Sequence, residues 1–518
     1  MPPCSALAIF ALPILNNSAM DLKSILAKPF AGYIYNKIRK GMETAVEDQQ
    51  AIFKSLIKGA KDTEFGRDHE FGGIQSYEDF KTKVPVRDYE QIKPYIAKIK
   101  EGKENILWKG KPIYFAKTSG TTSGIKYIPI SKDSISNHID SARNALLCYI
   151  AETGNAAFTK GKMIFLSGSP VLDRVGGVPT GRLSGIVNHH VPKYLRSNQL
   201  PDYETNCIED WETKLDKIVD LTINQDMTLI SGIPPWMQMY FDRLTQRSGK
   251  KIADLFPNFS VMVYGGVNFE PYRAKLFDSI GKKIDSIETF PASEGFFAFQ
   301  DSQRAAGLLL NTNSGIFFEF IPAAEIFNDN PTRLSLADVK VGENYALVIS
   351  NNAGLWAYNI GDTVKFLSTN PYRLVVSGRT KHYISAFGEH VIAEEVEHAL
   401  MKAANEESIK IVEFTVAPFV QQGEGKSYHE WFIEFENLPA DMEGFIAKVD
   451  ENLRLKNVYY DDLIAGNILQ KLKITQVRKN GFIDYMKSIG KLGGQNKLPR
   501  LSNDRKIADA MQGFIVHE

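Results

Sequence analysis

Cysteine is scarce in this chain. The three present, Cys4, Cys148 and Cys207, are odd in number, widely separated and in no metal-ligand spacing. They indicate neither a disulfide framework nor a zinc site, and point to a reducing, cytoplasmic compartment. An excess of charge is also lacking: 61 basic side chains stand against 61 acidic ones and the pI is near 7.1. With no broad field to draw in a polyanion, nucleic acid is not expected as the main partner, and small molecules are. No uninterrupted apolar run is long enough to cross a membrane. Residues 6–15 resemble the apolar part of a signal peptide, but no Lys or Arg precedes them. Because Met20 opens an amphipathic stretch over 21–40, residues 1–20 are expected to be a leader or an over-extended N-terminus rather than a secretion signal.

What is present is an ordinary globular composition, 43% hydrophobic and 24% charged. At 518 residues the chain exceeds what one core usually organises, so a large body and at least one further domain are expected. The pattern is helical over 27–61. The polar stretch 77–99, with Pro85 and Pro94, reads as a helix followed by a loop over the surface. Next come alternating β-rich runs (163–166, 227–230, 259–264) and helical ones (211–224, 235–246, 271–280), the mark of an α/β domain with a mainly parallel sheet. Strand-like runs at 315–321, 345–350 and 363–367 suggest a smaller antiparallel sheet or distorted barrel closing the first domain. A polar break at 378–381 marks the boundary. Beyond it a helix is expected over 393–404, with Val396, Ala399, Leu400 and Ala403 on one face, then strands at 411–417 and 430–435, a helix near 442–455 and a polar Gly/Lys/Arg-rich tail. No internal repeat or low-complexity tract is found.

The most informative stretch is Lys117-Thr118-Ser119-Gly120-Thr121-Thr122-Ser123-Gly124-Ile125-Lys126, hydroxyls and glycines packed around a turn. Such a loop can aim N–H groups and hydroxyls at phosphate oxygens. Its G-x-x-x-G-x-K order is not that of a Walker A loop. Tyr264-Gly265-Gly266 and Ala292-Ser293-Glu294-Gly295 each follow a β run, where open α/β sheets bind ligands. The glycines allow close approach of a flat ring, and Glu294 can hold a Mg²⁺ on phosphates. Tyr358-Asn359-Ile360-Gly361-Asp362 places an Asp where it can accept hydrogen bonds from ribose hydroxyls. His189-His190 lacks the Asp of an acyltransferase motif, since Tyr194 stands there, and reads as structural or as part of the acid pocket. Trp236, Met237, Met239 and Tyr240 form a helical face that reads as core in preference to pocket.

Taken in order, these motifs, with Gly378-Arg379 and the run from Gly388 to Glu397, resemble the successive core motifs of the adenylate-forming superfamily. Within it the chain most resembles the acyl-acid amido synthetases, plant enzymes that conjugate jasmonate or indole-acetate to amino acids, and their bacterial relatives. Gln495-Asn496-Lys497-Leu498-Pro499-Arg500 is similar to a tail motif of the plant enzymes. The resemblance implies an ATP-dependent ligase that adenylates a carboxylic acid, releases pyrophosphate and passes the acyl group to an amino acid. It implies a large N-terminal adenylation domain over 21–377, a hinge at 378–381 and a small mobile α+β domain over 382–518. Ser119, Gly120, Thr121, Thr122 and Lys126 are implied along the phosphates. Gly265, Gly266, Ser293 and Tyr358 would line the nucleotide, with Glu294 at Mg²⁺, Asp362 at the ribose, and Arg379 and Lys381 at the hinge. A catalytic lysine of the C-terminal domain is implied, Lys497 first and Lys506 second. An alternative alignment of residues 498–501 would bring Arg505 or Lys506 to that place.

Two departures stand out. Asn359 occupies a position where many relatives carry Arg. The loop 388–397 is more like that of acyl-CoA synthetases, which leaves coenzyme A open as the acceptor. A non-catalytic adenylate- or acid-binding protein is the other alternative, and the intact Glu294, Asp362 and hydroxyl loop speak against it.

Overall fold

The structure, a computed structural model, describes residues 18–118, 125–191, 196–267, 269–380, 383–389, 391–421, 425–489 and 498–516. The chain is mixed α/β, with a large N-terminal part and a smaller C-terminal part.

Two helices, Ser18–Glu43 and Ala45–Ala60, lead in. The expected surface loop after the helix Tyr77–Lys83 is instead a second helix, Tyr89–Lys100. Asp88 caps it by accepting from the Glu90 and Gln91 N–H groups, and Ile92, Ile96 and Ile99 bury one face. Pro94 sits between those positions and leaves that stripe intact.

A small four-stranded sheet, in the order β2-β1-β5-β4, combines β1 (Tyr114–Thr118), β2 (Lys126–Ile130), β4 (Asp173–Val175) and β5 (Val178–Gly181). β1 and β2 pair antiparallel, with Thr118 opposite Lys126. The main sheet has eleven strands. Its parallel half is formed by β3 (Lys162–Phe165), β6 (Gln199–Leu200), β7 (Met227–Gly232), β8 (Val261–Gly265) and β9 (Asp285–Ala292), in the order β6-β3-β7-β8-β9. Helices Trp211–Thr222, Pro234–Ser248 and Glu270–Ile280 connect them, and apolar residues such as Ile230, Met262, Tyr240 and Leu276 pack between the layers.

The antiparallel strands do not close a separate barrel. They continue the same sheet as β10 (Gly295–Phe299), β11 (Leu308–Leu310), β15 (Tyr372–Arg379), β14 (Tyr358–Thr369), β13 (Asn344–Asn351) and β12 (Ile316–Pro322). Phe53, Phe80, Phe317 and Trp356 fill the core between this half and the N-terminal helices.

The C-terminal part begins with the short pair β16 (Tyr383–Ile384) and β17 (Val391–Ile392). The expected helix follows over Ala393–Glu406, with Val396, Ala399, Leu400 and Ala403 all fully buried. β18 (Ile411–Phe419), β19 (Tyr428–Phe435) and β20 (Lys473–Val477) form a three-stranded sheet, backed by the helix Met442–Lys456. The segment read as a polar tail also folds, with helices Val458–Ala465, Gly481–Ser488 and Lys506–Met511. None of the described helices is long and apolar enough to cross a membrane.

Candidate active site

The parallel strands all end on one side of the sheet, where doubly wound sheets place their ligands. There the chain leaves β3 at Ser167–Ser169, β7 at Ile233, β8 at Gly265–Gly266 and β9 at Ser293–Glu294, and all four turns line one cleft of ≈ 1430 Å³. Two glycines are needed for this geometry. A Cβ at Gly265 would stand 2.3 Å from the Thr289 carbonyl of the neighbouring strand, and Gly266 holds φ at +81°. Ser293 and Glu294 are the two residues of the hairpin between β9 and β10, with Ala292 paired to Gly295. At this hairpin the sheet changes from parallel to antiparallel. Asn351 fixes the turn by donating to the Glu294 carbonyl at 2.8 Å.

Asp362 on β14 lies opposite Arg379 on β15, and their side chains pair at 3.1 Å. Arg379 also donates to the carbonyls of Gly361 and Ile360, each at 3.2 Å. Asn359 accepts from the Gly361 N–H at 2.9 Å, so it shapes the turn from within. Lys126, Glu294, Asp362 and Arg379 share one electrostatic neighbourhood. Burial pushes Lys126 below the usual lysine range, with Glu294 opposing the shift. Burial raises Glu294, opposed by Lys126, and raises Asp362, opposed first by Arg379. Tyr358 is fully buried and does not line the cleft, and its hydroxyl has no hydrogen-bond partner among the described residues.

Of the residues singled out in the sequence, the structure thus gathers Lys126, Gly265, Gly266, Ser293, Glu294, Asp362 and Arg379 on one cleft. Ser119, Gly120, Thr121, Thr122, Lys381 and Lys497 lie outside the described residues. Lys117 and Thr118, which precede the hydroxyl-rich loop, also line the cleft. Lys506 does not: it stands at the surface beside Asp504, Nζ to Oδ2 3.4 Å. Ser502, Asn503 and Asp504 do reach the cleft, and Arg505 is held away from it by Glu430 at 2.7 Å. Among the described residues no group of three or more His, Cys, Asp or Glu could hold a metal ion. Glu294 alone, with phosphate oxygens and water, is the kind of donor set that Mg²⁺ takes, so the residues present fit that ion.

His189 and His190 bond the Pro170 carbonyl at 2.7 Å and the Tyr114 hydroxyl at 3.1 Å, in keeping with a structural role. Met237 and Tyr240 are core, while Trp236 lines the cleft. Among the cleft residues that sequence reasoning missed are Arg182, Lys214, Tyr459 and Asp462. Arg182 pairs with Asp462 and lies over the Tyr459 ring at 4.4 Å, and the Tyr459 hydroxyl donates to the Lys117 carbonyl at 2.5 Å. The helix Val458–Ala465 therefore covers part of the cleft. Lys214 carried a legible signal, because it interrupts the apolar stripe of Trp211, Leu215, Ile218 and Val219.

Models of the GH3 family match in three consecutive pieces: its N-terminal domain over residues 34–206, its central domain over 309–379 and its C-terminal domain over 394–506. The indole-3-acetic acid-amido synthetase GH3.3 of Arabidopsis thaliana is 23% identical, over 90% of this chain and 91% of its own length. The solved acyl acid amido synthetase AtGH3.15, in complex with 2,4-DB, superposes with a TM-score of 0.59 at 15% identity, covering 98% of both chains. A 2-hydroxyisobutyryl-CoA ligase in complex with 2-HIB-AMP and CoA superposes with a TM-score of 0.57 at 14% identity, over 90% of this chain and 92% of its own. The last two likenesses establish the adenylate-forming fold, and the family models, which together span well over half of the chain, establish that it belongs to the GH3 family.

Proposed function

We propose that this chain is an ATP-dependent acyl-acid amido synthetase, which converts a carboxylic acid to its acyl-adenylate with release of pyrophosphate and then transfers the acyl group to the amine of an amino acid. The observation that carries this reading is the convergence of Lys126, Gly265–Gly266, Ser293–Glu294, Asp362 and Arg379 on one cleft in a member of the GH3 family. A carboxylate is a poor electrophile because its leaving group would be oxide, and joining it to AMP supplies a good one. In this reading Lys126 and the loop 119–124 lie along the phosphates, where positive charge and N–H groups offset charge in the in-line displacement. The turns at Gly265–Gly266 and Ser293 receive the adenine, and Asp362, oriented by Arg379, accepts from the ribose hydroxyls. Glu294 would hold a Mg²⁺ whose charge, when bound, neutralises the phosphates.

The domain division at 378–381 belongs to the same proposal. Lys506 lies away from the cleft, so bringing it to the α-phosphorus requires the part over 382–518 to turn about the hinge at 378–381. Closure by the helix Val458–Ala465 shields the adenylate from water. The scarce, widely separated cysteines support a cytoplasmic location for this work.

Pyrophosphate release from Mg-ATP with a panel of acids, indole-3-acetate included, repeated with amino acids or coenzyme A and followed by mass spectrometry, tests the reading. An acyl-amino-acid product is expected. A thioester would move the chain to the ligase branch that shares this fold, and ATP binding without pyrophosphate release would leave a non-catalytic binder.

A further inference from the structure

Lys214 is a cation in an unusual position. It is 3% exposed, yet it lines the cleft, and its ammonium donates only to main-chain carbonyls, Ser167 O and Asn206 O, each at 2.9 Å. An ammonium has three N–H donors and no carboxylate among the described residues answers this one, although a buried charge is costly unless paired. The acidic groups on the same turn have other tasks. Asp210 caps the helix Trp211–Thr222 by accepting from the Thr213 N–H, Glu212 pairs with Arg243 at 2.6 Å and Lys426 at 3.4 Å, and Glu209 is exposed. Arg182 has its charge answered by Asp462.

The surroundings repeat the pattern. Trp211 and Trp236 pack with ring centroids 4.6 Å apart and planes tilted by 35°, both line the cleft, and both indole N–H groups are buried without a hydrogen-bond partner among the described residues. The Ser167 hydroxyl is in the same condition. A cluster of unanswered donors around an unpaired cation, in an aromatic wall, is complementary to an anion with two acceptor oxygens. Burial pushes the Lys214 ammonium down to about 8, and Arg182 adds to the shift. An anion beside Lys214 would reverse that penalty.

We propose that Lys214, with Trp211, Trp236 and Ser167, forms a carboxylate-binding subsite that receives the carboxylate of the amino-acid acceptor. This rests on the amido synthetase reading above. The acyl acid's own carboxylate has to reach the α-phosphorus beside Lys126 and Glu294. Ser167 follows β3, Trp236 follows β7, and Trp211 and Lys214 stand on the helix between β6 and β7, whereas Glu294 follows β9, which lies three strands from β3, roughly 14 Å across the sheet. It is also the wall that the C-terminal part completes: a Cβ at Gly466 would stand 3.0 Å from the Trp211 Cβ, and Asp462 and Leu463 line the same cleft. A subsite finished by that part suits the reactant that enters last.

Equilibrium dialysis of the full chain with each of the twenty amino acids, their carboxamides and indole-3-acetate tests this without turnover. At least one amino acid should bind, and its carboxamide roughly tenfold more weakly, the scale of a charge-assisted hydrogen bond. Lys214→Gln should bring the amino acid to the level of its amide. Trp236→Phe, which removes one donor and keeps an aromatic ring against Trp211, should weaken the amino acid more than the amide while melting like the wild type. The proposal is overturned if no amino acid binds, if the amide binds equally well, or if folded Lys214→Gln loses indole-3-acetate in place of the amino acid. Absence of an acyl-amino-acid product with amino-acid binding intact would instead overturn the activity and leave the subsite standing.

Discussion

A charged side chain held away from water ionises at a cost, and three such groups meet around the Glu294 turn. Burial raises Glu294 and Asp362 and lowers Lys126, while Lys126 pulls Glu294 partly back, Arg379 and Lys126 pull Asp362 back, and Glu294 pulls Lys126 back. The proposed chemistry needs both carboxylates ionised and the lysine protonated. In kcat/KM for pyrophosphate release, which reports the groups of the free protein, the acid limb is therefore expected above the ordinary carboxylate range and the alkaline limb below the ordinary lysine range. For stability the signs run against the fold at neutral pH. Raised carboxylates help stability at low pH and lose that help as pH rises through their folded values, while a lowered lysine helps only at high pH and loses that help as pH falls through its folded value. A rate–pH profile with both limbs at the values of free Glu and Lys would sink this account. The site residues on these turns were legible because Gly-Gly, Ser-Glu and Gly-Asp are local signals. Arg182, Tyr459 and Asp462 were not, because their roles arise from contact between segments far apart in sequence.

The strands and helices that carry the cleft were legible where each holds its own pattern, as over 227–230, 271–280 and 393–404. The helix Tyr89–Lys100 was hidden by Pro94 and a polar outer face, although Ile92, Ile96 and Ile99 repeat at helical spacing. The union of parallel and antiparallel strands in one sheet was not legible, since β11 pairs with β15 across some sixty residues and no local signal records that choice. Within β14, Gly361 has φ at +89°, and a Cβ there would stand 2.8 Å from the Arg379 guanidinium. Gly361→Ala is expected to destabilise the fold by about 1–2 kcal/mol from backbone strain and to push Arg379 off Asp362. The denaturation midpoint should fall, and the KM for ATP should rise. An unchanged KM for ATP would separate the Asp362–Arg379 pair from nucleotide binding.

Across the whole molecule, closure over the cleft depends on small contacts. Arg182 and Asp462 keep 31% and 48% of their side-chain surface exposed, so their pair is worth about 0–1 kcal/mol and weakens with salt. The Tyr459 hydrogen bond to Lys117 adds about 0.5–1.5 kcal/mol. Contacts of that size can be made and broken during turnover, as the proposed rotation of the part over 382–518 requires, and losing ~1 kcal/mol shifts a two-state population roughly fivefold. In the proposed reading with Lys506 as the catalytic lysine, its place at the surface suits acyl transfer better than adenylation. Asp462→Ala combined with Tyr459→Phe should therefore enlarge the radius of gyration in small-angle scattering. It should also slow amide formation more than pyrophosphate release, and high salt should mimic the first effect in the wild type. An equal fall in both half-reactions, with an unchanged radius, would mean that these contacts hold the fold together and take no part in alternation.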